Sequence, residues 1–254
     1  MKIISANVNG IRAAHRKGFF DWLKVIAADI VCIQEIKAQE DQLDYSFYPK
    51  EYYVYYHPAQ RKGYSGVAIY TKEKPNIINK SIWEDIDYEG RLLSVDFNDL
   101  TIMSLYLPSG SAKQERQDYK MEFLTKRFMP YLKELAKNGR KYIICGDFNI
   151  AHKKIDIKNW YANQKNSGFL PEERAWMSEL FNKSGFVDAF RVINNEEHQY
   201  TWWSNRGKAW ENNVGWRIDY QVITENLKDK VKEVAIYKKE RFSDHSPLII
   251  NYDL

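Results

Sequence analysis

The sequence predicts an α/β domain in which two mixed β-sheets pack face to face with helices outside them. Three observations carry this prediction. Short apolar runs that read as strands outnumber the stretches with helical spacing. Turn residues around Lys62-Gly63 and Asn98-Asp99 make some of those runs antiparallel neighbours. No linker rich in serine, glycine or proline divides the 254 residues, so 1–254 is expected to form a single domain.

Taken in order, residues 2–8 are the first expected strand, which ends in Asn7-Val8-Asn9-Gly10. Residues 19–28 have helical spacing through Phe19, Phe20, Leu23, Ile26 and Ala27. The run Ile30-Val31-Cys32-Ile33 is a buried strand that stops on Gln34 and Glu35. Strands are expected at 52–56, 67–71 and 92–97, then at 100–107, where Pro108-Ser109-Gly110 punctuates the exit after Tyr106. Residues 113–137 read as one long helix stopped by Asn138-Gly139, and 171–183 as another opened by Pro171-Glu172-Glu173. Further strands are expected at 200–203, 217–224, 231–237 and 247–251.

The stretch around which these elements are organised is Tyr142-Ile143-Ile144-Cys145-Gly146-Asp147-Phe148-Asn149, an apolar strand that ends on a carboxylate and an amide. Gly146 would let the backbone approach something closely. Asp147 and Asn149, two residues apart, would point to one side of a strand end, one to take a proton and one to donate hydrogen bonds; the alternative is an Asx turn that only redirects the chain. The polar 150–170 segment that follows is long enough to be a functional loop.

With 44% hydrophobic and 28% charged residues the composition is that of a soluble protein with a full core. Cys32 and Cys145 lie inside apolar runs, where they serve as small hydrophobes and suit a reducing compartment. The first residues lack the apolar core of a signal peptide, and no window is long and apolar enough for a membrane span, so a cytoplasmic location without membrane contact is expected. A net charge of +4 permits a polyanionic partner without requiring one.

Polar groups recur at strand ends: Asn7, Glu35, Tyr106, Asp147, Asn149 and Asp219, with Asp244 and His245 from Phe242-Ser243-Asp244-His245-Ser246-Pro247. There is no cysteine cluster and no paired-histidine spacing. Oxygen donors of this kind suit a hard cation such as Mg²⁺ and fit zinc poorly. Singly, Tyr106 reads more readily as a core tyrosine, and Asp219 and Asp244 as turn or capping residues; their joint occurrence favours a site.

Six blocks in order, Asn7-Val8-Asn9-Gly10-Ile11-Arg12, Gln34-Glu35-Ile36-Lys37, Tyr106-Leu107-Pro108, Gly146-Asp147-Phe148-Asn149, Asn213-Val214-Gly215-Trp216-Arg217-Ile218-Asp219-Tyr220 and Ser243-Asp244-His245, resemble the motifs of exonuclease III-type abasic-site endonucleases. The match spans essentially the whole chain. The resemblance implies a four-layer α/β sandwich, dependence on Mg²⁺ or Mn²⁺, and hydrolysis of double-stranded DNA 5′ to an abasic site. It also implies 3′–5′ exonuclease action and the cleaning of blocked 3′ ends. A monomer is expected, and no nuclear or regulatory extension ahead of the first strand.

By the same resemblance, Tyr106, Asp147, Asn149, Asp219 and His245 would be catalytic, with the metal held among Asn7, Glu35, Asp147, Asn149, Asp244 and His245. Asp147 would activate water, Asn149 would steady the phosphate, and a cationic His245 supported by Asp219 would grip it. DNA contacts would come from Arg12, Tyr64, Asn163, Asn166 and Arg206, with Trp202, Trp216 and Ile218 forming a pocket for a flipped-out sugar. Lys17, Arg61, Lys62, His152, Lys153, Lys154, Lys158 and Lys165 would form a basic rim or simply a solvated surface. Trp203 reads as core. Asn9, Ser109, Trp202 and Arg206 depart from residues common in relatives and bear on metal affinity, phosphate contact and pocket size. The competing readings are another phosphoesterase of the same superfamily and a non-catalytic DNA-binding relative.

Overall fold

In the computed structural model, which describes residues 1–80, 82–111 and 113–254, the strands form two six-stranded sheets and a two-stranded ribbon. In chain order they begin with β1 (Lys2–Asn7), β2 (Ile30–Gln34), β3 (Tyr53–His57), β4 (Val67–Thr71), β5 (Ile77–Asn79), β6 (Leu92–Phe97) and β7 (Leu100–Tyr106). They continue with β8 (Lys141–Asp147), β9 (Phe186–Asp188), β10 (Trp202–Trp203), β11 (Gly215–Trp216), β12 (Asp219–Thr224), β13 (Val231–Ile236) and β14 (Leu248–Tyr252). One sheet has the order β13-β14-β1-β2-β4-β3 and the other β5-β6-β7-β8-β12-β9. Both are mixed, as expected: β1 runs parallel to β2 and β7 to β8, while the other pairs are antiparallel.

The pleat decides what each strand presents to the other sheet. Along β1, Ile3 enters the core between the sheets while Ile4 and Ala6 face the outer layer with Phe19, Phe20 and Leu23. Along β8, Ile143 and Cys145 face inward, and Tyr142 and Ile144 pack outward with Phe123, Phe128 and Trp176. Helices Ile11–Arg16 and Phe19–Ile26 thus cover one sheet, and Gln114–Glu122, Met129–Lys137 and Pro171–Lys183 the other, which gives four layers.

Continuing each inward set to the end of its strand explains the site. The same alternation that buries Ile3 carries Ser5 and then Asn7 to the inter-sheet face; Ile102 leads to Ser104 and Tyr106, and Cys145 to Asp147. At the start of β12 the set is Ile223, Gln221 and Asp219. A polar layer therefore lies between the apolar core and the strand ends. Gln34 Nε2 donates to Ser104 Oγ (3.1 Å), and Gln221 Nε2 donates to the Ile3 carbonyl (3.0 Å), which ties the sheets together without leaving those groups unpaired.

Some expectations shift on inspection. The 113–137 helix is interrupted by a π-helical stretch, Phe123–Phe128, whose Phe123 and Phe128 rings stack at 5.6 Å. The 150–170 segment is a loop carrying a turn of 3₁₀ helix at Lys154–Asp156 and a short helix at Trp160–Asn163. Cys32 and Cys145 are buried and free in the inter-sheet core. Among the described residues no helix is long and apolar enough to cross a membrane.

The loop is anchored by a buried ion cluster. Asp156 Oδ1 accepts from Arg217 Nε (2.8 Å) and Arg191 Nη2 (2.6 Å), while Arg217 Nη2 also reaches Asp188 Oδ2 (2.7 Å). Burial opposes the Asp156 charge, but Arg217 and then Arg191 overcome it and hold its pKa at about 2. Asp156→Ala is expected to destabilise the protein by about 3–5 kcal/mol, because two guanidinium groups lose their buried partner. Since the folded pKa lies below the unfolded one, this contribution is complete above about pH 4 and is lost as pH falls from there through about 2. Thermal unfolding of both proteins across that window checks it: the gap should narrow in acid.

Candidate active site

The polar strand ends meet at the mouth of a cleft of about 880 Å³. Asn7 Nδ2 donates to Glu35 Oε1 (2.8 Å) and to Asp147 Oδ2 (2.9 Å), so one amide bridges carboxylates carried by different sheets. Asp219 stands directly opposite Asp147 in the β8–β12 register, and Tyr106 stands beside Asp147 in the β7–β8 register. His245 Nδ1 lies 2.9 Å from Asp219 Oδ2, and its Nε2 lies 3.9 Å from Asp147 Oδ2. A ligand atom from each of Glu35, Asp147 and His245 lies within 4.8 Å of the other two.

Local backbone conformations aim these groups. Asn9, Glu35, Lys37 and Asn149 all have positive φ, from 44° to 53°, an unfavourable region for side-chain-bearing residues that concentrates at functional sites. Gly146 is required because a Cβ there would lie 2.2 Å from the Leu105 carbonyl of β7; the close approach expected from sequence is to a neighbouring strand. Asp147 and Asn149 do not simply share a pleat face. The Asn149 N–H donates to Asp147 Oδ1 (2.8 Å) in an Asx turn, and Asn149 Nδ2 donates to the Leu107 carbonyl (2.9 Å).

The electrostatics follow from burial and from the company of charges. Burial, then Asp219, pushes the Asp147 carboxyl up to about 8, against the pull of His245. Burial opposes charge on His245, yet Asp219 foremost, with Asp147 and Asp244, raises it to about 10, so the imidazole is cationic at neutral pH. Burial and the charges of Glu35 and Asp147 push the Tyr106 phenol well above its ordinary value and keep it a hydrogen-bond donor. Asp244 is ionised despite burial, because His245 and three donors favour its charge. Those donors are Asn9 Nδ2 (2.9 Å), Trp202 Nε1 (3.1 Å) and Ser243 Oγ (3.0 Å).

The donor set fits a hard cation. Glu35 and Asp147 offer carboxylate oxygens at the cleft mouth, and each oxygen can accept more than the single bond it now makes to Asn7. Lys37 Nζ, 2.7 Å from Glu35 Oε2, already marks this corner as one that attracts positive charge.

This geometry can be compared with known proteins. Residues 4–245 match the Endonuclease/Exonuclease/phosphatase family. The chain belongs to that family. It is 43% identical to an exodeoxyribonuclease of Bacillus subtilis (strain 168) over 99% of this chain and 100% of that one. It is 37% identical to a DNA-(apurinic or apyrimidinic site) endonuclease of Dictyostelium discoideum, over 100% of this chain and 71% of that one. The solved structure of an AP endonuclease from Archaeoglobus fulgidus superposes with a TM-score of 0.90 and 29% identity over 100% of both chains.

Within this endonuclease/exonuclease/phosphatase domain, Asn7, Glu35, Tyr106, Asp147, Asn149, Asp219, Asp244 and His245 all converge. Glu35, Tyr106, Asp147, Asn149, Asp244 and His245 line the cleft together with Trp202, Trp216, Ile218, Arg206 and Asn166, while Asn7 and Asp219 stand behind that lining. The Trp202 and Trp216 rings meet edge to face at 6.1 Å, and Trp202 forms an antiparallel bridge to His245, so the apolar wall is built directly onto the polar site. Trp203 is buried in the core, as expected.

Three expected DNA contacts do not line the cleft. Asn163 donates to the carbonyls of Lys158 and Asn159 and accepts from Asn166 Nδ2 (2.8 Å), so its side chain supports Asn166. The Tyr64 hydroxyl accepts from Arg91 Nη2 (2.8 Å), and Arg91 in turn lies 4.7 Å from the Tyr106 ring, which makes Tyr64 a brace behind Tyr106. Arg12 is exposed on helix Ile11–Arg16, outside the cleft lining. Sequence reasoning does not single out Ser111, Lys113, Gln114 and Gln117, which also line the cleft; the nearby Pro108-Ser109-Gly110 exit is the signal that points there.

Proposed function

We propose that this protein is a DNA repair nuclease that hydrolyses the backbone of double-stranded DNA 5′ to abasic sites with the help of Mg²⁺ or Mn²⁺. It would also trim blocked 3′ ends and act as a 3′–5′ exonuclease. The observation that carries the reading is the line Asp219, His245, Asp147 beside Glu35, set at the mouth of a cleft walled by Trp202, Trp216 and Ile218. Relatives matched over essentially the whole of this chain include one named exodeoxyribonuclease and one named DNA-(apurinic or apyrimidinic site) endonuclease.

Phosphodiester hydrolysis needs an activated water, neutralisation of charge on the non-bridging oxygens, and help for the departing oxygen. Glu35, with Asp147 and the orienting amide of Asn7, would hold the cation; bound there, it supplies positive charge to the phosphate and lowers the proton affinity of water and of Asp147. Asp147 then takes the proton of the attacking water. His245 is committed to Asp219 through Nδ1 and carries a proton, so its role is to grip a phosphate oxygen as a cation rather than to bind the metal. Asn149 steadies the phosphate, and the Tyr106 phenol donates to the leaving oxygen.

The Trp202, Trp216 and Ile218 wall would admit a base-free sugar and exclude one that carries a base. Exposed Lys165 and Arg206 at the cleft edge would contact the backbone without reading sequence. The buried thiols suit a reducing cytoplasm, and the reading is of a monomer. A duplex with one abasic analogue tests it: nicking in Mg²⁺ is expected to exceed that of the intact duplex by about two orders of magnitude, and to vanish with chelator. Equal cleavage of both duplexes would remove the pocket argument.

A further inference from the structure

Behind the cleft two opposite charges are wholly buried. Lys120 and Glu173 are both 0% exposed, with Lys120 Nζ 2.6 Å from Glu173 Oε1. Neither lines the cleft. A buried ion pair is on average no more stabilising than well-packed apolar residues of the same volume, so stability alone gives no reason for it. Its other bonds supply one.

Lys120 Nζ also donates to the backbone carbonyl of Asn149 (2.9 Å), the positive-φ residue whose N–H holds Asp147. Glu173 accepts from four donors: Lys120, Gln117 Nε2 (3.2 Å), the Gly168 N–H (2.7 Å) and the Leu170 N–H (3.0 Å). That uses the accepting capacity of a carboxylate. Gln117 Oε1 in turn accepts from Ser167 Oγ (2.7 Å). The pair thus grips the Asp147–Asn149 turn with one partner and the 167–170 wall with the other. Gly168 is wedged between these features: a Cβ there would lie 3.0 Å from the Trp216 ring and 3.1 Å from the Asn149 carbonyl. A shift of the wall would therefore be felt by both the phosphate-binding turn and the sugar pocket.

We propose that Lys120 and Glu173 are positioning residues for the reaction, holding Asn149 and the Trp216 side of the cleft in register from behind. This rests on the reading that Asp147 and Asn149 serve phosphodiester hydrolysis. It assigns a functional reason to the buried charges, beyond the backbone amides that Glu173 satisfies, and it separates stability from turnover.

The test compares Lys120→Met with the charge-free double variant Lys120→Met/Glu173→Gln, in which the glutamine oxygen still accepts from the Gly168 and Leu170 N–H groups. The single variant strands a buried carboxylate, so its thermal midpoint and its kcat on an abasic-analogue duplex both fall. In the double variant the stranded charge is gone and the midpoint recovers, but kcat stays about tenfold or more below wild type, because a small misplacement of catalytic groups is costly. Affinity for the same duplex without metal changes less than about threefold, since the rim lysines are untouched. A double variant that recovers its midpoint and turns over within about twofold of wild type would overturn the proposal.

Amide hydrogen exchange provides a readout that needs neither the double variant nor activity. In wild type the Gly168 and Leu170 amides should be protected, and Lys120→Met should speed their exchange ahead of the core strands. Unchanged exchange there would also overturn the proposal. If wild type fails to nick the abasic duplex while exchange responds as expected, the functional reading fails and the coupling stands.

Discussion

Asp147→Ala is expected to lower the rate of abasic-duplex nicking by about 10²–10⁴-fold while the protein remains folded. The size of the effect follows from position: Asp147 is buried, receives the Asn7 amide and the Asn149 N–H, and faces both Glu35 and His245. The other carboxylates of the group are committed elsewhere: Glu35 to Asn7 and Lys37, Asp219 to His245, and Asp244 to three donors. Stability should hold, because burial and Asp219 already make the charged form unfavourable, with a pKa near 8. Steady-state kinetics beside a thermal melt checks both halves. Near-normal turnover would remove Asp147 from its role as base.

The second large effect is expected from Asp219→Asn. The variant keeps the shape of the side chain but removes the charge that, more than any other, lifts His245 to about 10. With a neutral partner, burial lowers the imidazole pKa toward or below its ordinary value, so the phosphate-gripping cation is lost as pH rises through about 6–7. Wild-type His245 carries a folded pKa above its unfolded value. Its charge therefore contributes stability that is complete below about pH 6.5 and is lost as pH rises through about 10. The variant should accordingly show turnover lowered by about 10²–10⁴-fold at neutral pH, partly recovering in mild acid, and a stability gap from wild type that closes at alkaline pH. A flat pH–rate profile with wild-type turnover would show that His245 does not act as a cation.

Much of this site was readable from strand periodicity. Asn7, Tyr106 and Asp147 end the inward-facing sets of their strands and Asp219 begins that of β12, each continuing an alternation that starts from buried apolar residues, so alternation places them between the sheets before any tertiary contact is known. The layer order follows from the same pattern. What alternation could not give is the turn at Asn149, where a positive φ ends the pleat and an Asx bond sets the geometry.

Nor could it give Lys120, Gln117 and Glu173. Each sits on a polar helical face that reads as solvated, and only the packing of Pro171–Lys183 against Gln114–Glu122 and the 167–170 wall buries them. Tyr64 shows another limit: the family resemblance makes it a candidate for a DNA contact, and the sequence holds no sign that Arg91 takes its hydroxyl and sets it as support for Tyr106. The π-helical stretch at Phe123–Phe128 lies inside a run whose hydrophobic spacing reads as ordinary helix.

Strand ends from both sheets should converge on one divalent cation, and anomalous scattering from crystals soaked in Mn²⁺ locates that ion. The predicted result is a peak at the cleft mouth bonded to a Glu35 oxygen, close to Asp147 and Asn7, and absent in Glu35→Gln. A protein whose nicking activity requires Mn²⁺ but whose bound ion lies elsewhere, with Glu35 free of it, would show that these strand ends do not form the metal site.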